Sequence, residues 1–233
     1  MLSFKKIYEK AVHLFDDPVI QRAYVEDTVK WQKTMYPYLI NGLAKFNNPT
    51  KIAYLLVDQT APDGQVCILE ANGSSTYVCD ADFEPQEGCD FSFCVGKLYD
   101  NDATYDATTK TVTFSKEVPA GLKCSVEWYS CGQFNTDFAG AKSSTTKPNV
   151  IEYLVEDILA NALVLAWAEN EKNYLLDIRN LLTDTDFKMY SNANSLRSKI
   201  AWIEQLHYNF DTLTTKLSWN VLSRKYHGGN YYG

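Results

Sequence analysis

After Pro148 the sequence has no glycine and no proline until Gly228, so its last third lacks the residues that most often interrupt a helix. Histidine is scarce as well. The three present, His13, His207 and His227, stand far apart, and none has a second histidine or a cysteine at metal-ligand spacing. No Gly-x-Ser-x-Gly elbow, phosphate-binding loop, dinucleotide fingerprint or His-Glu-x-x-His helix is present, so the sequence offers no catalytic constellation and is not read as an enzyme. Long apolar runs are missing too. The longest uncharged stretch of the C-terminal half, Ile158 to Ala168, is eleven residues, well short of the roughly 20 needed to cross a bilayer. The opening Met-Leu-Ser-Phe-Lys-Lys passes straight into a charged amphipathic segment, and no secretory leader is expected.

What is present is concentrated in the middle. Seven of the eleven glycines and all six cysteines fall between Lys51 and Pro148. Turn-forming punctuation of this density marks short strands, whereas its absence permits helix. The charge follows the same boundaries: of the net charge of -7, residues 1–50 carry +2, 51–148 carry -7 and 149–233 carry -2. An acidic middle argues against that surface gripping nucleic-acid phosphates. The pattern predicts an α+β protein. Residues 1–50 and 149–226 form a helical bundle body, 51–148 an inserted antiparallel β-sandwich or barrel, and 227–233 a flexible tail.

Ser3 is placed to cap a first helix with Phe4, Ile7, Tyr8, Ala11, Val12 and Phe15 on one face. Asp17 followed by Pro18 starts a second, carried on by Ile20, Ala23, Tyr24, Trp31 and Met35, and Pro37 is expected to kink or break it. Strands are expected over Lys51 to Asp58, Gln65 to Glu70, Ser75 to Cys79, Asp90 to Val95, Thr109 to Ser115 and Leu122 to Tyr129. Turns are expected at Pro62-Asp63-Gly64, Asn72-Gly73, Pro85 to Gly88 and Pro119-Ala120-Gly121, and a linker over Gly140 to Lys147.

The helix after Asn149 is apolar almost all round, which predicts protein on most of its sides. The last helix, roughly Asn194 to Tyr226, carries Leu196, Ile200, Ile203, Leu206, Phe210, Leu213, Leu217 and Val221 on a coiled-coil-like seam. Its length of about 50 Å suggests contact with neighbouring subunits. Ile158, Leu159, Leu163, Trp167, Phe210 and Leu217 are therefore candidates for a subunit interface. The closing Tyr226, His227, Asn230, Tyr231 and Tyr232 form a Gly-rich aromatic end that is either frayed or docked on a partner.

The cysteines are read as buried thiols of a reducing compartment. Cys124 shares the apolar side of a strand with Leu122, Val126 and Trp128, in alternation with Lys123, Ser125, Glu127 and Tyr129, while a metal site and disulfides remain the alternatives. Asp100, Asn101, Asp102 and Asp106 cluster as calcium ligands do, but Tyr105 stands where the loop needs glycine and Thr111 where it needs glutamate, so a solvated turn is the better reading. Asp80, Asp82, Glu84, Glu87 and Asp90 read as an acidic loop face rather than a glycosidase pair. No cofactor is expected.

From Val95-Gly96-Lys97-Leu98-Tyr99 the chain passes through an expected turn at Tyr105-Asp106, a strand over Thr109 to Phe114 with Thr111-Val112-Thr113-Phe114, and Pro119-Ala120-Gly121 to Trp128-Tyr129. This resembles a β-hairpin element recurrent in structural proteins of tailed bacteriophages. Together with the helical flanks, it makes the chain similar to head-to-tail connector proteins, the neck or adaptor family. The resemblance implies a homo-oligomeric ring, twelve-fold in that family, lying between the portal protein and the tail or a second neck protein. DNA would pass through without sequence-specific contact, no membrane would be involved, and assembly would take place in the host bacterial cytoplasm on the way to the virion. It also implies that the C-terminal segment docks on the portal. A reading from another class is a β-module binding protein of a phage fibre, baseplate or capsid decoration. Tyr77, Tyr99, Tyr105, Trp128 and Tyr129 would then supply an aromatic platform, although alternation places Trp128 in the core.

Overall fold

The computed structural model describes residues 1–45, 56, 58–135, 150–181 and 189–227, with side chains in the last two segments described over 152–173 and 197–219. Strand β1 (Leu2–Ser3) leads into α1 (Phe4–Val12), whose N-cap Ser3 accepts a hydrogen bond from the Lys5 amide at 3.2 Å. Phe4, Ile7, Tyr8, Ala11 and Val12 are buried along one face of α1. Helix α2 (Pro18–Glu26) starts on Asp17, whose carboxylate accepts from the Val19 amide at 2.8 Å, with Pro18 in the first turn where its missing N–H costs nothing.

The expected break at Pro37 falls instead at Asp27. Its amide closes α2 on the Ala23 carbonyl at 3.0 Å, and its carboxylate caps α3 (Thr28–Leu43) on the Lys30 amide at 3.0 Å. An Asp satisfies the free amides of a new helix without any Gly or Pro signal. Helix α3 runs through Pro37. Trp31, Gln32 and Met35 before the proline and Leu39 and Gly42 after it are buried, and this shared packing outweighs the lost backbone bond.

The described residues of the middle fold as nine strands: β2 (Gln59–Thr60), β3 (Asp63–Glu70), β4 (Thr76–Val78), β5 (Asp90–Val95), β6 (Leu98–Tyr99), β7 (Thr104–Asp106), β8 (Thr111–Thr113), β9 (Lys123–Ser130) and β10 (Gln133–Phe134). Asp63 and Gly64, expected in a turn, open β3. Most of the strand expected over Lys51 to Asp58 and the linker over Gly140 to Lys147 lie outside the described residues. A four-stranded antiparallel sheet, β3-β9-β5-β6, faces a three-stranded one, β4-β8-β7. Between them lie Cys67, Leu69, Tyr77, Phe83, Val112, Phe114, Cys124, Val126 and Trp128, and Phe91 stacks on Tyr105 at 5.2 Å across the layers. This is a small two-layer sandwich. A third sheet, β1-β10-β2, ties the chain's first residues to both ends of the insertion, with Leu2 opposite Phe134 and Gln133 opposite Thr60. Gly132 sits at that root with φ +84°, and a Cβ there would lie 2.5 Å from the Thr60 carbonyl oxygen, so no other residue fits.

Two long helices complete the body, α4 (Val150–Leu181) and α5 (Met189–His227), the latter beginning before the expected Asn194. Helices α1, α3 and α5 all pack on α4. The approach of α3 is close: a Cβ on Gly42 would stand 2.8 Å from the Ala162 carbonyl carbon. The N- and C-terminal helices thus form one core, and Tyr129, Cys131 and Phe134 join it from the β side.

Candidate functional site

The charge partition becomes an internal interface. Lysines of the N-terminal helices reach the acidic sheet where α1 and α3 cross β5 and β9. The Lys5 ammonium meets Asp90 Oδ1 at 2.6 Å, and Gln32 Nε2 donates to Asp90 Oδ2 at 2.8 Å. Lys33 pairs with Glu127 and lies over the Tyr129 ring at 5.2 Å, and Lys30 donates to the Tyr99 hydroxyl at 3.3 Å. Burial works to lower the Lys5 pKa, but the Asp90 hydrogen bond and charge outweigh it and hold the ammonium above its usual value. Gln32 is 0% exposed, and among the described residues its Oε1 has no partner and its amide bonds Asp90. Asp90, read from sequence as a loop-face carboxylate, is the clamp between helices and sheet.

A second charged cluster joins α1 to α4. Lys10 lies 2.9 Å from the buried Glu156 and 2.6 Å from Asp157, and Lys6 is 3.8 Å from Glu156. Burial works to lower the Lys10 pKa, but the hydrogen bonds to Asp157 and Glu156 outweigh it, for a net rise. An ammonium so held is a poor general base. Beside it opens a shallow cleft of about 350 Å³ lined by Lys10, His13, Leu14, Asp157, Ala160, Asn161 and Leu213. Asn161 donates to the Asp157 carbonyl at 2.8 Å, and its buried Oδ1 has no partner among the described residues.

The remaining chemistry-bearing residues do not converge. All six cysteines are free thiols: Cys67, Cys79, Cys124 and Cys131 are buried, and Cys89 and Cys94 half-buried. Cys124 lies on the apolar side of β9 as its alternation indicates. Burial, with the neighbouring Cys67, pushes the Cys79 thiol up to about 12. Among the described residues no three His, Cys, Asp or Glu side chains gather as a metal would require. Asp100 accepts from the Asp102 amide of its own turn at 3.2 Å and, across β7 and β8, from the Ser115 amide and hydroxyl at 2.8 Å each, and Asp106 bonds its own turn at the Thr108 amide and the Thr109 hydroxyl at 2.9 Å each. His207 faces Glu169 at 3.2 Å. No described helix is long and apolar enough to cross a membrane.

No family model matches the chain, and no curated protein does.

Two expectations need correction. The aromatic platform is dismantled by the fold: Tyr77 and Trp128 are buried between the sheets, Tyr129 in the helical core and Tyr105 packs against Phe83 and Phe91, which leaves Tyr99 alone at the surface. Ile158, Leu159, Leu163, Trp167, Phe210 and Leu217 are all buried within this one chain, because α1, α3 and α5 already surround α4. Their apolarity therefore calls for no neighbouring subunit. Asn230, Tyr231 and Tyr232 lie outside the described residues; Tyr226 and His227 close α5, without described side chains. Gln32 escaped the sequence reading, and so did the clamping role of Asp90. The one available signal was a glutamine beside Trp31 on a helix face otherwise buried.

Proposed function

We propose that this chain is a structural subunit of a tailed-phage neck, a ring component that joins the portal to the tail and lets DNA pass. The observation that carries this reading is on α5. Tyr208 and Trp219 are 67% and 70% exposed, and eleven residues apart they project from the same side of the helix, three turns from one another. Single exposed aromatics are ordinary; a Tyr and a Trp aligned on the outward side of a 39-residue helix make an anchor surface of the kind that dominates subunit contacts. The proposed contact surface thus moves from the interior residues of α4 and α5 to the outer stripe of α5.

The residues that carry the phage resemblance support the same reading in part: Tyr105-Asp106, expected as a turn, lies in β7, which pairs with β8 as a hairpin, and Pro119-Ala120-Gly121 turns the chain, with φ +88° at Gly121, into β9. Purified protein should form rings with a central channel by negative-stain electron microscopy, and Tyr208→Ala with Trp219→Ala should dissociate them while helical circular dichroism is retained. Deleting 226–233 should weaken portal binding without unfolding the chain. Light scattering that finds only monomer, even with the portal present, overturns the proposal.

A further inference from the structure

Strand β3 reads Asp-Gly-Gln-Val-Cys-Ile-Leu-Glu and forms one lateral edge of the four-stranded sheet. Cys67 and Leu69 point into the sandwich, whereas Val66 and Ile68 are 51% and 66% exposed. The ladder fixes where the backbone points. The Ala71 amide continues the β3-β9 register by bonding the Leu122 carbonyl at 3.1 Å, and the Gly96 amide continues the β5-β9 register at the Lys123 carbonyl at 2.8 Å. Antiparallel pairs alternate between bonded and non-bonded. The odd-numbered residues of β3 therefore bond β9, and Gly64, Val66, Ile68 and Glu70 aim their amides and carbonyls away from the sheet. Gly64 returns its amide to Asp63 Oδ1 at 2.8 Å. Val66, Ile68 and Glu70 have no backbone partner on that side among the described residues.

Edge strands are ordinarily kept short or blunted with lysine or proline. The other edges of the sandwich follow this rule, with two residues in β6 and three each in β4 and β7. The edge at β3 has eight residues and neither lysine nor proline. Its surroundings are acidic. The chain at 80–86 runs alongside, with Asp80 Oδ2 3.8 Å from Cys67 Sγ, the Asp82 carbonyl accepting from Gln65 Nε2 at 3.2 Å, and Gln86 Nε2 donating to Asp63 Oδ2 at 2.8 Å. Asp63 and Glu70 close the two ends of the strand, and Asp80, Asp82 and Glu84 flank it, with Lys110 3.7 Å from Glu84. A second copy fits this edge poorly. Antiparallel self-pairing about Cys67 sets each Glu70 beside the other strand's Gly64 and Asp63, carboxylate against carboxylate at both ends.

We propose that the free edge of β3 takes an extended segment of a partner polypeptide as an added antiparallel strand. The segment has alternating apolar residues that lie over Val66 and Ile68, and lysine or arginine at its ends. Backbone bonds to Val66, Ile68 and Glu70 set the alignment, and the acidic rim selects the charge. The inference does not depend on the neck-ring reading.

The test uses the full chain and two labelled peptides, acetyl-Lys-Thr-Val-Thr-Val-Thr-Lys-amide and the same peptide with glutamate at both ends. Fluorescence anisotropy should show the lysine peptide binding at least about tenfold more tightly than its counterpart, with the preference shrinking as salt is raised. Hydrogen exchange should slow at the Val66, Ile68 and Glu70 amides when the peptide is added, while Cys67 and Leu69, already in the ladder, stay unchanged. Ile68→Pro removes an outward amide and no bond to β9, and Ile68→Lys places a repelling charge on an exposed side chain; each should abolish binding with circular dichroism retained. Equal affinity for the two peptides, no binding of the lysine peptide, or binding that survives both substitutions overturns the proposal. Protection of the Val66 and Ile68 amides in the protein alone also overturns it, in favour of the chain's own covering segment, or of a second copy where protection grows with protein concentration.

Discussion

Replacing Asp90 by alanine tests whether helices and sheet are one cooperative body. Two donors from different helices converge on that carboxylate, Lys5 at 2.6 Å and Gln32 at 2.8 Å, and the two respond differently to its loss. The Lys5 side chain is 37% exposed and turns to water, so its share is that of a surface pair, about 1 kcal/mol or less. The Gln32 amide is fully buried and has no such recourse. A hydrogen bond to a charged acceptor contributes about 1.5–3 kcal/mol, and an abandoned buried donor forfeits that and its desolvation. Asp90→Ala should therefore cost about 2–4 kcal/mol. Lys33→Ala, which breaks the exposed pair with Glu127, should cost about 1 kcal/mol or less. Urea unfolding followed by tryptophan fluorescence reads both, because Trp31 lies in the helical core and Trp128 in the sandwich. Adding Gln32→Met to Asp90→Ala should recover part of the loss, since the orphaned amide is then gone. The reasoning is refuted if Asp90→Ala costs no more than Lys33→Ala, or if the second substitution deepens the loss.

Gly42→Ala should destabilise the fold by about 1–3 kcal/mol in the same urea titration, because the added methyl meets the α4 backbone at Ala162 and neither helix can yield without repacking. Native protein should titrate rapidly with a thiol reagent at Cys89 and Cys94 only; Cys67, Cys79, Cys124 and Cys131 should react at the unfolding rate, and early labelling of any of the four would contradict their burial. Stability should hold from neutrality to the ordinary thiol value of 9.0 and fall as pH rises toward about 12. Burial raises the Cys79 and Cys131 thiols and the Tyr129 phenol, and carboxylate partners raise Lys5 and Lys10, so the folded chain keeps protons that the unfolded chain releases. Urea midpoints that rise across that window would reverse the sign.

Local chemistry was legible where it repeats or caps. Ser3, the Asp17-Pro18 pair, the apolar face of α1 and the alternation of β9 all read through to the structure, because each depends on neighbours a few residues away. Strands of two or three residues, such as β1, β2, β6 and β10, are too short to show a period. Asp27 ends one helix and caps the next without Gly or Pro, so the apolar face of α2 seemed to run on into α3. The apolar stretch of α4 was legible as buried, but its cover comes from helices at the other end of the chain. The clamp was least legible of all: Asp90 is 85 residues from Lys5 and 58 from Gln32, and no local pattern announces such a meeting.

The small sheet at the root of the insertion sets an order of events during synthesis. Leu2 is made well before its partner Phe134, and Phe4 packs against that partner's ring at 4.7 Å. At about 5–20 residues per second the ribosome needs roughly 7–26 s to deliver that partner, and α4, which covers α1, comes later still. Through that interval the apolar face of α1 has only α2 and α3 to pack against, as where Tyr8 meets Trp31 at 5.7 Å. The sandwich closes on contacts made earlier, between β3 and β9, so it has the chance to fold while the helical body still waits for its second half.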